Sequence, residues 1–264
     1  MARPADASPP SRTDGAPESP LDILAVGAHP DDVEISCGGT IAAAASQGLT
    51  AGILDLTRGE LATNGTPEIR AAEAAEAARI LGVQGRWNAG LPDGGIHAYD
   101  PAQVRSAVEW LRRLRPDILV VHFPRDRHPD HVASAELMDR AIYLAGLRRF
   151  DAAGAPFRPR VRYHYASRVG FTPSFVVDIT PAWDAKRASI LAHGSQVTRA
   201  DADVRPTAIN REGFLEFVES RARHYGGMIG VLYGEPFHAT EPLGVRALGA
   251  LLRTPRAAPG SFTG

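Results

Sequence analysis

Residues 21–57 read LDILAVGAHPDDVEISCGGTIAAAASQGLTAGILDLT, and the fold turns on that stretch. The run from Leu21 to His29 is short, β-prone and apolar almost throughout, as a strand buried on both faces of a parallel sheet must be. Residues 38–48 predict an Ala-rich helix stopped by Gly48. Thr50–Thr57 is a second apolar run of strand length. Strand, helix and strand in this order form a βαβ unit, whose crossover is right-handed in almost every protein.

The alternation continues outward. Thr66 caps and Pro67 opens a predicted helix to Leu81, with Gly82 beyond its end. A short strand at 86–90 leads into the turn LPDGG, and Asp100, Pro101 and Gln103 form the start signal of a helix to Leu114. DILVVH, from Asp117 to His122, predicts a central strand, followed by a loop and a helix over 130–147. RVRYHYA and SFVVDI predict two more strands, Thr180–Pro181 starts another helix, and a last helix covers 212–225 before a Gly- and Pro-rich tail. The expected architecture is α/β: a Rossmann-like three-layer sandwich with a mostly parallel sheet and an elaborated C-terminal third. Residues 21–264 are expected to form a single domain, and residues 1–20, rich in Pro, Ala and Ser without an apolar run, a disordered tail.

Composition narrows the function classes. A chain of 264 residues that is 44% hydrophobic can build an ordinary core, and its formal net charge of −1 offers no general field for nucleic acid or an anionic membrane. The N-terminus lacks the apolar segment of a secretory signal, and no window reaches the roughly 18 apolar residues of a membrane span. With one cysteine, Cys37, no intramolecular disulfide can form, and a cytoplasmic location is expected.

In open parallel sheets, ligands bind outside the carboxyl ends of the strands. Two predicted strands end there in polar clusters. The first is His29-Pro30-Asp31-Asp32, with Glu34 close behind; the second is Arg125-Asp126-Arg127-His128-Pro129-Asp130-His131. Pro30 keeps His29 extended at the strand end, and the following turn can return Asp32 toward it while Asp31 projects elsewhere. His128 and His131 stand three apart at a helix start, so both can face one side. An Asp-rich turn after a strand is often only a helix cap, and a His pair is often a surface pair. Both clusters on one rim change the balance toward a metal. Two His and one Asp make a three-ligand zinc site with room for water, which zinc brings to a pKa of about 7. The spacing leaves open which of His128 and His131 is the ligand.

At this point the chain resembles a known family. AVGAHPDDVEISCGGTIA, LPDGGI, PDILVVHFPRDRHPDH and the later GSQV are similar to the LmbE-like (PIG-L) zinc N-deacetylases, from about Leu21 to GVLYGEPF. DLTRGELATNGTPEIR and DRHPDH resemble the subgroup that deacetylates N-acetylglucosaminyl-L-malate in bacillithiol biosynthesis. The resemblance implies that His29, Asp32 and His131 bind Zn2+, with Fe2+ or Co2+ acceptable to the same donors. It makes Asp31 the general base and, for the leaving amine, the acid; protonated His128 stabilises the tetrahedral intermediate, and Asp130 orients its ring. It also implies a homo-oligomer. One position where relatives carry an active-site tyrosine holds Phe214.

Arg70 and Arg127 are the candidate anchors for a substrate carboxylate, since guanidinium captures carboxylates in a bidentate manner. Arg70 could equally lie on a solvated helix face with Glu73 or Glu76. Asn64 is a candidate partner for sugar hydroxyls, and Thr66 is more simply a cap. Cys37 is expected as a small buried filler, and His122, His164, His193, His224 and His238 as structural or exposed. The expected partner is a small N-acetyl sugar. A glycoside with another aglycone, such as the inositol-linked precursor of mycothiol, is the nearest alternative. Phosphoester hydrolysis usually uses two metals, and only one ligand set is evident. A dinucleotide module needs a Gly-rich first turn where this chain has carboxylates. A non-catalytic metal- or sugar-binding protein would have no use for Asp31.

Overall fold

The computed structural model describes residues 20–198 and 204–244. Apart from Pro20, the expected N-terminal tail lies outside the described residues, as do residues 245–264 of the expected domain.

Seven strands form one sheet: β1 (Ile23–Gly27), β2 (Ala51–Thr57), β3 (Gly85–Leu91), β4 (Ile118–His122), β5 (Val161–Tyr165), β6 (Phe175–Asp178) and β7 (Gly234–Ala239). Their order is β3-β2-β1-β4-β5-β7-β6. Neighbours from β3 to β5 are parallel, and β7 runs antiparallel between β5 and β6. The helices are α1 (Asp32–Ser46), α2 (Pro67–Leu81), α3 (Pro101–Leu114), α4 (Pro129–Ala145), α5 (Trp183–Ala192), the short α6 (Gly194–Val197) and α7 (Phe214–Ile229).

Alternate residues of β1 point to opposite faces and enter two cores. Leu24 and Val26 pack with Val108 and Leu111 of α3 and Leu137 and Met138 of α4. Ile23 and Ala25 pack with Val33 and Ile41 of α1 and Leu81 of α2. Each fully buried Leu or Ile contributes roughly 1.5–3 kcal/mol, so this double burial explains the nearly unbroken apolar reading of β1, β2 and β4. Caps behave as their chemistry requires. Thr66 Oγ1 accepts from the Ile69 amide, Asp100 from Ala102 and Gln103, and Gly82 closes α2 at φ 70°.

Helix ends shift by a few residues, as in α7, which spans Phe214–Ile229 rather than 212–225, and two larger differences from expectation bear on the site. The helix after the first motif starts at Asp32 rather than residue 38, with a non-helical break at Cys37 (φ −137°, ψ 15°). The segment expected as a Gly- and Pro-rich tail contains β7. Pro236 is tolerated there because side-chain packing and pairing on both flanks hold the strand: Phe237 is buried, and Val177 pairs with Glu235 and Asp178 with Gly234.

The chain moves from β1 through β2 to β3 on one side, then returns to place β4 on the other. The switch point therefore lies between the carboxyl ends of β1 and β4, where the crevice of such a sheet opens. Both polar clusters hang from it.

Candidate active site

The residues after β1 make a tight, strained turn. Asp31 has φ 127° and ψ −24°, a region non-glycine residues rarely occupy and which costs roughly 1–3 kcal/mol. Arg70 holds it there. Its Nη2 donates to the Pro30 carbonyl at 2.5 Å and to Asp31 Oδ2 at 3.2 Å, and its Nη1 donates to the Gly59 carbonyl at 3.0 Å. The turn sends the two carboxylates in different directions. Asp31 faces Arg70, while Asp32 Oδ2 accepts the His29 amide at 2.8 Å.

Three imidazoles close on Asp32. His131 Nε2 lies 3.1 Å from Oδ1, and His122 Nε2 and His29 Nδ1 lie 3.2 Å and 3.4 Å from Oδ2. His29 Nε2 faces outward to Asp93 Oδ1 at 3.1 Å and Asp130 Oδ2 at 3.3 Å. Asp126 Oδ1 lies 3.3 Å from His131 Nδ1 and takes the His128 amide at 3.0 Å. Four carboxylates thus surround the imidazoles. Burial works to lower the His29 pKa, but its bonds to Asp130, Asp32 and Asp93 outweigh that and push it up to about 12. His131, opposed by burial but drawn by Asp32 and Asp126, rises to about 9. The cluster attracts positive charge.

A divalent cation fits that demand. Tetrahedral zinc with ligand bonds of 2.0–2.2 Å separates its donor atoms by roughly 3.3–3.5 Å. Asp32 lies 3.1 Å from His131 through Oδ1 and 3.4 Å from His29 through Oδ2, distances of that order that use different oxygens of the carboxylate. Candidate donor atoms of His29, His128 and His131 lie within 4.8 Å of one another, as do those of Asp32, His122 and His131, and of His29, Asp93 and Asp130; the expected set of His29, Asp32 and His131 is divided between these groups among the described residues. Asp126 beside His131 and Asp130 beside His29 are carboxylates of the kind that orient metal-ligating imidazoles.

His128 caps α4: its Nδ1 accepts the Asp130 amide at 3.2 Å. With Nδ1 an acceptor, the ring is neutral and its proton sits on Nε2. Burial, followed by the charges of His29 and His131, lowers the His128 pKa, in line with that form. A protonated His128 is the expectation; the cap contact leaves Nε2 as its donor nitrogen. The carboxylate of Asp130 also differs from its expected task, because it bonds His29 and the Gly94 amide (2.8 Å) while its backbone orients His128.

The cleft above this floor encloses about 400 Å³. Leu61, Arg168, Gln196, Ile209, Phe214 and Arg221 are among its walls. The sequence-derived substrate residues fare differently. Arg70 reaches the cleft floor but is only 4% exposed, and its guanidinium is committed to Asp31 and two carbonyls, contrary to both a free anchor and a solvated helix face. Arg127 is exposed and is not among the cleft-lining residues, whereas its neighbour His128 is, and Asp126 meets His131. Asn64 is tied to Arg205, donating to its carbonyl at 2.9 Å and accepting its amide at 3.0 Å. His97 is exposed, and Cys37 is buried.

Sequence reasoning missed several residues. His122 is 1% exposed, contacts Asp32 and Ser167, and stacks on His131 at 4.1 Å. Asp93 comes from the LPDGG turn. Behind the motif, Glu34 pairs with Arg86 and with His193 Nε2 (3.1 Å), and Arg86 also grips Asp55 at 2.7 Å and 2.9 Å. A titratable residue at the carboxyl end of a strand was a usable signal for His122. For Glu34 and His193 no local pattern exists.

Comparison with known proteins places this geometry. The family model of PIG-L, described as GlcNAc-PI de-N-acetylase, matches residues 24–142. A conserved protein of Thermus thermophilus shares 43% identity with a TM-score of 0.78, over 85% of this chain and 97% of that one. The chain belongs to the PIG-L (LmbE-like) deacetylase family. Among PIG-L relatives, the 1D-myo-inositol 2-acetamido-2-deoxy-alpha-D-glucopyranoside deacetylase of Rhodococcus opacus is 26% identical over 67% of this chain and 82% of its own. The diacetylchitobiose deacetylase of Thermococcus kodakarensis is 29% identical over 81% of this chain and 80% of its own. The PIG-L match spans both polar clusters, from before His29 to beyond His131. Among the described residues, no helix is long and apolar enough to cross a membrane.

Proposed function

We propose that this protein hydrolyses the acetamide of an N-acetylglucosaminyl substrate, with His29, Asp32 and His131 holding Zn2+. One observation carries the reading. Asp32 meets His131 through one carboxylate oxygen and His29 through the other, while the strained Asp31 is turned out of that set into a cleft wall. When bound, zinc supplies Lewis acidity to the amide carbonyl and the attacking water.

The chain's own groups do the rest. Burial raises the Asp31 pKa to about 6 against the opposing charge of Arg70, and a positioned carboxylate of this kind can accept a proton and return it. Asp31 takes a proton from water as its oxygen bonds the acetyl carbon. His128 offers its Nε2 proton to the carbonyl oxygen as negative charge gathers there, a type of donor worth roughly 3–4 kcal/mol of barrier. Asp31 then returns its proton to the nitrogen, the C–N bond breaks, and acetate and a free amine leave. Asp130 and Asp126 orient His29 and His131.

For the aglycone, N-acetylglucosaminyl-L-malate of bacillithiol biosynthesis is the reading favoured by the DLTRGELATNGTPEIR resemblance, with glucosaminyl-malate as product. Of its named anchors, Arg70 is committed elsewhere and Arg127 stands off the cleft; of the two further wall arginines, Arg221 is bonded to the Ser167 and Ile35 carbonyls, which leaves Arg168 for the malate. The same loss favours a second reading, an uncharged aglycone such as the inositol of the Rhodococcus relative's substrate. Amine release from the malate glycoside, the inositol glycoside and diacetylchitobiose, each with and without a chelator, tests both levels. Chelator-insensitive turnover would refute the metal reading, and no turnover of any of the three would refute the sugar assignment.

A further inference from the structure

Helix α1 is broken between the end that bears the motif and the end that packs in the core. The break at Cys37 leaves Asp32–Ser36 as a separate first segment. An unbroken helix would pair the Ile35 carbonyl with the Gly39 amide and the Ser36 carbonyl with the Thr40 amide. Here, side chains from the C-terminal third serve both sides of the break. Lys186 Nζ, on α5, donates to the carbonyls of Glu34 at 2.9 Å and Ile35 at 3.1 Å. Arg221 Nη2, on α7, donates to the Ile35 carbonyl at 2.7 Å. Across the break, Glu235 on β7 accepts the Gly39 amide at 3.0 Å, and the Thr40 amide and hydroxyl at 2.7 Å and 2.6 Å. Lys186 Nζ and Glu235 Oε1 meet at 2.6 Å and close the circuit.

This pair is 1% and 2% exposed, and a buried ion pair adds little net stability compared with apolar residues of equal volume. An apolar pair could join α5 to β7 equally well. It could not satisfy the amides and carbonyls that a broken helix exposes inside the protein. Gly39 also lacks room for a Cβ, which would fall 2.8 Å and 2.9 Å from atoms of Ile179 and 3.1 Å from Glu235, so the joint has little freedom to shift.

We infer that Lys186, Glu235 and Arg221 are positioning residues for the cation site: they set the angle of the Asp32–Ser36 segment, and with it the direction in which Asp32 and Asp31 project. The inference rests on the zinc reading above, and zinc affinity separates the two. Zinc alone is titrated against a chromophoric chelator with wild type, Lys186→Met, Lys186→Arg, Glu235→Gln and Arg221→Met. Partners that orient metal ligands typically matter by about 10–100-fold in affinity, and a loss of that order is expected for Lys186→Met, with kcat falling and KM holding within about twofold. Lys186→Arg should recover most of the affinity.

A folded Lys186→Met protein with wild-type zinc affinity overturns the inference, even if its zinc-free melting temperature drops, because that pattern marks a purely structural pair. Should Lys186→Met not fold, Glu235→Gln and Arg221→Met decide by the same criterion, and failure of all three to fold also assigns a structural role and overturns it. Wild type that binds no zinc would instead sink the metal reading.

Discussion

Arg70 and Asp31 form a buried pair at 3.2 Å, and the same guanidinium nitrogen holds the carbonyl of Pro30, the residue between His29 and Asp31. The carboxylate proposed as general base is therefore fixed through both its side chain and its backbone. Lysine cannot span Asp31, Pro30 and Gly59 from one planar head. Arg70→Lys should lower kcat on the order of tenfold, a loss of about 1.4 kcal/mol in transition-state stabilisation, while KM stays within about twofold. Steady-state kinetics decide the point, since a substrate anchor would raise KM instead.

Gly59 tests the same support from its other side. Its φ of +66° disfavours any side chain, and a Cβ there would fall 1.7 Å from Arg70 Nη1. Gly59→Ala should reproduce the kcat defect of Arg70→Lys and destabilise the fold by roughly 1–3 kcal/mol through the forced displacement. Urea unfolding beside a rate assay would measure both. Unchanged kcat would show that Arg70 can leave Gly59 without disturbing Asp31.

The burial of Arg70 was legible after all. Arg70, Ala74, Ala77 and Leu81 fall at i, i+4, i+7 and i+11, the stripe that α2 buries. A charge on that stripe needs a buried partner, and Asp31 is it. The main sheet was equally legible, because strands covered on both faces leave continuous apolar runs. The motif ends of β1 and β4 marked the rim by the same logic. What escaped depends on contacts between distant segments. β7 carries Gly234 and Pro236, which lower strand propensity, and its pairing with β5 and β6 overrides them. The break in α1 is invisible locally, since its partners Lys186, Arg221 and Glu235 come from the far end of the chain.

Asp31→Asn removes the base and leaves the neighbouring donors in place. It should lower kcat by about 10²–10⁴-fold, the usual range for a positioned acid–base group, with zinc still bound at one equivalent. Metal analysis of the purified variant together with amine release checks both halves. Retained turnover would point to a protein that uses another base.

Arg127→Ala should leave kcat/KM within about twofold for every glycoside, since surface changes away from a site rarely matter beyond about 0.5 kcal/mol. Arg168→Ala should raise KM for the malate glycoside and leave the inositol glycoside unaffected. Comparing the two variants on both substrates identifies the carboxylate partner. The reverse outcome would mean that the 125–131 loop closes over substrate.

Zinc should stabilise the folded chain. At a free concentration one hundred times Kd, binding adds about 2.7 kcal/mol, which for a domain of this size corresponds to a rise of roughly 5–10 °C in Tm. Calorimetry with zinc and with excess chelator measures it. Identical curves would count against His29, Asp32 and His131 as ligands.

The placement of β4 beside β1 has a temporal side. The histidine just beyond β1 and the aspartate it meets on α4 are 101 residues apart in the chain. During synthesis the first half of the donor set leaves the ribosome long before the second. On the zinc reading, a nascent chain that ends before α4 lacks His131 and cannot complete the donor set, so metal binding would have to wait for the segment after the central strand.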